Sequence, residues 1–388
     1  MKKTLITGGV FGLLSLGVHA QSSVTLYGLL DVGMVFVNNS VSNGQGHQLY
    51  SLISGNIQAS RWGLRGSEDL GGGMKAIFVL ENGFSVVNGK LGQGGDEFGR
   101  QAYVGLSTTR FGAITLGRQY DSVVDFTNVL TAATQWATIY FAHPGDLDNM
   151  LNSNRVNNAV KYTSISYGGF KFGGLYSLGG VAGQFNRNQI WSVGAGYNVG
   201  PLQLGAGYFN VKDPNFSFFG NNATSSATGS NMSGSPVYSG YASAKTQEVF
   251  AAGAAYTIGS AAVGMTYSNT QFKDIGAIAG LPANGAGGAA KFNNVEVNFR
   301  YQVTPALLVG AGYDYTKGYG VNHAKYHQAG LGADYFLSKR TDVYITGVYQ
   351  HASGIDSTNK PAVASITTLS PSSTSNQIVA VVGIRHKF

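Results

Sequence analysis

An all-β chain is predicted here: a closed, 16-stranded antiparallel β-barrel that crosses a membrane on its strands, with short turns at one end and long loops at the other. Three observations predict it. Hydrophobicity alternates with a period of two through most of the 388 residues, the pattern of strands that bury one face. Charged residues make up only 11 % while Tyr (22) and Phe (21) are plentiful, which suits a surface facing something other than water. The connections are short and long in turn, as they are when every tight turn lies on one side of a membrane.

The first twenty residues stand apart. Lys2 and Lys3 precede a short apolar run over 5–18, and Val18-His19-Ala20 supplies small residues for cleavage. That pattern predicts a secretory signal over 1–20, too short for a spanning helix. The barrel domain then occupies 21–388 and begins Gln21-Ser22-Ser23. There is no Cys, so disulfides and thiolate metal sites are excluded.

Strands follow in order. The first covers 24–37, with Leu26, Leu30, Val32, Met34 and Phe36 on one face and Thr25, Tyr27, Asp31 and Gly33 on the other. Segments 60–66 and 75–84 are joined by S-E-D-L-G-G-G, and 100–106 and 113–120 by T-T-R-F-G. Then 156–166 pairs with 170–178, 189–199 with 202–211, 246–258 with 261–270, 295–303 with 307–316, and 326–337 with 342–351. Segment 377–388 closes the series. The long connections are 38–59, 85–99, 121–155, 212–245, 271–293, 317–325 and 352–376, several of them Gly/Ser/Asn-rich.

Sixteen strands enclose more volume than side chains can fill, so the barrel holds water and its apolar faces point into lipid. Trp191, Val193, Ala195 and Tyr197 then face out while Ser192, Gly194 and Gly196 face in. At the end of the chain Ile378 through Phe388 face out on alternate positions, with Gln377, Arg385 and Lys387 inward. The closing strand must pair with the first, because an unpaired edge in hydrocarbon leaves several costly polar groups.

The same parity sorts the charges. Trp62 and Leu64 put Arg61 and Arg65 on the lumen side; Val156, Val160 and Tyr162 do so for Arg155 and Lys161. Lys75, Glu81, Glu296 and Arg300 also point inward. Arg100 and Arg118 share parity with apolar neighbours, so either a bulge re-aims them or they lie above the bilayer.

Several motifs resemble one family. S-S-V-T-L-Y-G at the mature start, S-R-W-G-L-R-G-S-E-D-L-G-G-G-M-K-A, R-Q-A-Y-V-G-L-S, T-L-G-R-Q-Y, N-S-N-R-V-N-N-A-V-K-Y and the terminal V-G-I-R-H-K-F are similar to the Gram-negative general porins of the betaproteobacterial type. The resemblance runs over the whole mature chain. It implies a homotrimer in the outer membrane, in contact with its lipid and lipopolysaccharide, and passive diffusion of small hydrophilic solutes. It implies short periplasmic turns, long extracellular loops, and a third loop, 121–155, folded into the lumen. That loop is unusually apolar (Val124, Phe126, Leu130, Trp136, Ile139, Tyr140, Phe141). Its apolar side chains would pack on the wall and leave Asp121, Asp125, Asp146 and Asp148 at the gap, though Asp146 and Asp148 could equally cap turns. The opposing basic wall would be Arg61, Arg65, Arg100, Arg118, Arg155 and Lys161. The P-E-F-G tetrapeptide of enterobacterial porins is absent, which leaves the loop's path open. Phe388 resembles the terminal aromatic read by the barrel-assembly machinery. Arginines outnumbering acids at a constriction point to mild anion preference.

Other chemistries find little footing. H-A-K-Y-H over 323–327 lacks the Glu of a zinc-protease motif, and G-F-S-V-V-N-G-K-L over 83–91 lacks the spacing and the Ser/Thr of a phosphate loop. Asp96 and Glu97 read as loop solvation. No catalytic residue, cofactor or metal site is expected. The basic residues form no stripe, so nucleic acid is not an expected partner. A solute-specific channel and an adhesin acting through the long loops are the competing functions.

Overall fold

The computed structural model describes residues 23–388; the leader expected over 1–20 and the first two residues of the barrel domain lie outside the described residues. One closed antiparallel sheet dominates. Its strands are β1 (Ser23–Ser42), β2 (Gln45–Ser54), β3 (Arg61–Gly71), β4 (Met74–Gly83), β5 (Gln101–Thr108), β6 (Gly112–Gln119), β7 (Val156–Thr163), β8 (Phe170–Ser177) and β9 (Ile190–Val199). There follow β10 (Leu202–Lys212), β11 (Thr246–Ile258), β12 (Ala261–Lys273), β13 (Ala290–Thr304), β14 (Leu307–Gly320), β15 (Lys325–Phe336), β16 (Thr341–Ser353) and β17 (Asn376–Lys387).

Seventeen strands make sixteen staves, because β2 and β3 share one. Along one edge β1 pairs with β2 from Val32↔Ser54 upward and with β3 from Leu29↔Arg61 downward. Its other edge pairs with β17, from Leu29↔Lys387 to Val37↔Val379. The seam is tied to the last residue: the Phe388 N–H donates to the Gly28 carbonyl at 3.0 Å, and the Phe388 carbonyl accepts the Gly28 N–H at 3.2 Å. Closure leaves no strand edge in the hydrocarbon.

The expected loop 38–59 is mostly strand. β1 runs on to Ser42, Asn43 and Gly44 turn the chain with φ of 51° and 78°, and β2 descends from Gln45. Two successive positive φ values make the hairpin turn for which Asn-Gly is the strongest short signal. The segment lacks an apolar alternation because its upper part stands above the bilayer. Likewise β12 and β13 extend through polar residues, so the loop expected over 271–293 shrinks to 274–289. Residues 55–60 interrupt the shared stave. Gly55 (φ 81°) turns the chain, and the buried Asp31 carboxylate accepts the N–H groups of Ile57 and Gln58 at 2.8 Å each.

Outward faces are bare and apolar: Met34, Val104, Leu116, Met265 and Val382 are all exposed. The packed core sits inside the barrel, between its wall and the inward loops. Trp136, Tyr140 and Phe141 pack there with Val35, Val37, Val348, Val379 and Val381. At the mouth, Tyr241, Phe272, Phe292 and Tyr326 form a second cluster under the other loops. Burial of Phe141 alone contributes on the order of 2–3 kcal/mol.

Candidate pore constriction

Residues 121–155 enter the lumen as helices α1 (Ser122–Thr127) and α2 (Ala132–Gln135) joined by tight turns. Inward-facing glycines make their seat. A Cβ on Gly194 would stand 2.6 Å from the Phe126 ring, and one on Gly207 2.9 Å from the Val123 Cα. On the far wall, a Cβ on Gly330 would meet the Phe141 ring at 2.5 Å, and one on Gly310 would overlap Trp136. These columns of glycine are troughs into which the loop's backbone and rings fit.

A loop held off the sheet must find partners for its own backbone. The wall supplies them. Asn298 Nδ2 donates to the Leu130 carbonyl at 3.0 Å, and Gln328 Nε2 to Ala142 at 3.1 Å. The interrupted stave helps, since the Asn56 carbonyl accepts the Ile139 N–H at 2.7 Å and Asn56 Oδ1 accepts the Tyr140 hydroxyl at 2.8 Å.

Between this loop, β3–β7 and the inward residues Gln203 of β10 and Arg300 of β13 lies a cavity of about 1080 Å³. Arg61, Arg100, Arg155 and Arg300 line it, with Glu81, Asp125 and Tyr120. Arg100 Nε donates to Glu81 Oε1 at 2.6 Å, and Arg61 Nε lies 3.7 Å from Glu81 Oε2. Tyr120 bridges them, accepting from Arg100 and donating to Glu81 at 3.2 Å each. Asp125, from α1, is taken by Lys161 at 2.5 Å. Arg155 lies 5.8 Å from the Tyr120 ring centroid and donates to the Ser153 carbonyl at 2.9 Å. Among the described residues no carboxylate is within 4.0 Å of Arg155 or Arg300. The cavity thus holds four guanidiniums against two carboxylates, and both carboxylates are already engaged.

Arg100 reaches the lumen because it precedes β5, where the pleat does not yet dictate its direction. Arg118 does not line the cavity. The ladder slips between Gly117 (φ 137°) and Gln119, and the Arg118 guanidinium donates to Gly99 O at 2.8 Å and Asn221 O at 2.9 Å, with Asp96 at 3.5 Å. It ties two outer loops to the rim. Arg65 stands four residues below Arg61, about 13 Å along a strand, over the Tyr27 ring at 5.3 Å. Lys75 pairs in register with Asp69 beside the tight turn, farther from the opening still.

The acids expected at the gap are mostly elsewhere. Asp121 caps α1, accepting from Val123 N at 2.7 Å and Val124 N at 3.2 Å; its burial pushes its pKa up to about 6. Asp146 accepts from Leu151 N and Ser153 N at 2.9 and 3.0 Å; burial, then the neighbouring Asp148 charge, push it up to about 7. Asp148 binds His143 Nδ1 at 2.6 Å. Burial opposes its ionisation, but the His143 charge more than offsets this and holds it below the usual carboxylate range. His143 Nε2 lies 3.4 Å from Glu296 and 3.8 Å from Asp314; burial opposes its charge, yet these acids hold the imidazole protonated well above its ordinary range. Glu296 is sealed there too, accepting the Ala132 N–H at 2.8 Å. The reason is common to all: a loop without a ladder leaves N–H groups that carboxylates satisfy. Sequence parity turns Asp31 and Asp314 inward but gives them no role, and it does not single out His143 or Tyr120; a lone inward Asp among glycines, as at Asp314, was the available signal.

A family model described as Gram-negative porin matches residues 9–354. Outer membrane porin protein 32 of Delftia acidovorans is 30 % identical over 361 residues, covering 89 % of this chain and 88 % of that one. An outer membrane porin protein of Bordetella pertussis is 29 % identical over the whole of both chains. Among solved structures, an anion-selective porin from Comamonas acidovorans superposes with a TM-score of 0.73 at 23 % identity, over 95 % of this chain and 100 % of that one. OmpT of Vibrio cholerae in its trimer form gives 0.63 at 18 % identity, over 95 % and 99 %. The structural likenesses speak for the barrel; the sequence matches, spanning most of the chain, carry the family. This chain belongs to the Gram-negative porins, channel-forming proteins of the outer membrane.

Proposed function

We propose that this porin passes small hydrophilic solutes and ions passively, prefers anions, and works as a homotrimer without catalysing any reaction. One observation carries the preference: Arg155 and Arg300 face the cavity with no carboxylate in ion-pair range, while Glu81 and Asp125 there are already paired. Fixed charges at a narrow passage raise the local concentration of counter-ions.

The remaining assignments extend that reading. The leader 1–20 is removed on export, and Phe388 on the closing strand is the mark that the assembly machinery reads. The bare outward face of β1–β6, with Met34, Tyr50, Leu52 and Leu116 exposed, meets the neighbouring subunit. Planar-bilayer conductance, followed by liposome swelling with sugars of graded size, tests the channel. Entry that falls with size and does not saturate supports a general porin. Saturable entry of one solute favours a specific channel, and absent conductance favours an adhesin.

A further inference from the structure

A row of lysines near the extracellular end of one half of the barrel serves neither the opening nor the loops. The outward faces of β12–β15 carry Met265, Val297, Phe299 and Tyr313 at mid-height. Farther toward the long loops the same faces carry Lys273, Lys291, Lys317 and Lys325. Lys273 is neutralised by Glu248 at 2.6 Å. The other three are not: among the described residues no carboxylate lies within 4.0 Å of them. Lys317 and Lys325 stand directly opposite one another in the ladder. Like charges so placed repel unless an anion lies between them. Lys291 lies 5.8 Å from the Tyr319 ring centroid, and His327 faces His351 on the adjoining outward positions. By contrast, the lysines of β1–β9 (Lys75, Lys161 and Lys171) share the inward parity.

The position says what would cover this face. It points away from the lumen, above an apolar band, on strands that the proposed subunit contact leaves free, so it lies at the headgroups of the outer leaflet. Basic side chains there attract anionic headgroups, and aromatic rings beside them sit at the same depth. We propose that Lys291, Lys317 and Lys325 form a binding surface for the phosphate groups of the outer-leaflet glycolipid. This rests on the reading of the chain as an outer-membrane channel with its long loops outside.

The test uses the assembled protein and bis-phosphorylated lipid A as probe, with dephosphorylated lipid A as comparison, titrated in neutral detergent and followed by native mass spectrometry. The unaltered protein should prefer the phosphorylated form, and Lys291→Gln/Lys317→Gln/Lys325→Gln should lose that preference by about fivefold per lysine. Lys339→Gln/Arg340→Gln at the opposite rim should keep it. If the triple variant does not assemble, Lys317→Gln and Lys325→Gln singly should each lose about fivefold. Undiminished preference in these variants, or none in the unaltered protein, overturns the proposal. Conductance in neutral-lipid bilayers, expected unchanged in all of them, reports separately on the channel reading.

Discussion

Along β3–β7 the lumen wall presents Arg61, Arg100 and Arg155 to an open cavity, whereas across the barrel Glu296 and Asp314 lie sealed under the inward loop with His143 and Asp148. Both walls are lined with charge, but the first set borders the cavity, joined there by Arg300 of β13, while the second lies under the loop. The difference teaches that the sign of the opening is set by which charges the loop covers as well as by how many of each the chain carries. Buried acids answer a single imidazolium and the loop's own N–H groups; Arg155 and Arg300, with no carboxylate partner among the described residues, are left to meet passing ions.

Charge reversal on the two walls should therefore have unequal effects. Arg155→Glu swings two charges at about 7 Å, worth about 1.2 kcal/mol per ion at the dielectric of water and opposite in sign for Cl⁻ and K⁺, so the Cl⁻/K⁺ permeability ratio should fall by up to about fiftyfold at low salt. Reversal potentials across a KCl gradient read this directly; Arg61→Glu should act in the same direction. On the sealed wall, His143→Ala leaves buried carboxylates unpaired, which typically costs 3–5 kcal/mol. Its signature is a lower midpoint of thermal dissociation and easier proteolysis within 121–155, not a large change in selectivity.

A pH titration sharpens the contrast. Asp146 and Asp121 have pKa values of about 7 and about 6 in the folded loop, above the ordinary carboxylate value. The folded loop therefore binds more protons than the unfolded one between about pH 4 and pH 7, and its stability falls as pH rises through that window. Asp148, whose folded value is depressed, contributes the opposite slope below its ordinary value. Limited proteolysis of the loop from pH 4 to 7 should show increasing cleavage, and Asp146→Asn should flatten the trend. The smallest expected effect concerns the seam. Deleting Phe388 removes both backbone bonds to Gly28 and should reduce the assembled protein, yet leave the conductance of what does assemble unchanged.

Much of this architecture was legible because strands in lipid cannot hide their period. Parity alone turns Arg61, Arg155, Lys161 and Arg300 inward, since each sits in or beside a regular ladder. It fails at Arg100, one residue outside β5, and at Arg118, where the Gly117 bulge breaks the count. β2 was obscured because a strand above the bilayer has no apolar face, although Asn43-Gly44 marked its turn. The burial of Asp146, Asp148 and Glu296 was out of reach for a different reason. Which carboxylates a loop covers depends on glycines such as Gly310 and Gly330, remote in sequence, opening room for Trp136 and Phe141. Composition counts every acid as though it faced water.

The account turns on the reversal potential across a tenfold KCl gradient, measured for the unaltered protein, Arg155→Glu and Asp146→Asn under identical conditions. It predicts Cl⁻ preference in the first, loss or inversion of that preference in the second, and the unaltered value in the third. Cation preference in the unaltered protein, or an equal shift from both substitutions, would contradict it.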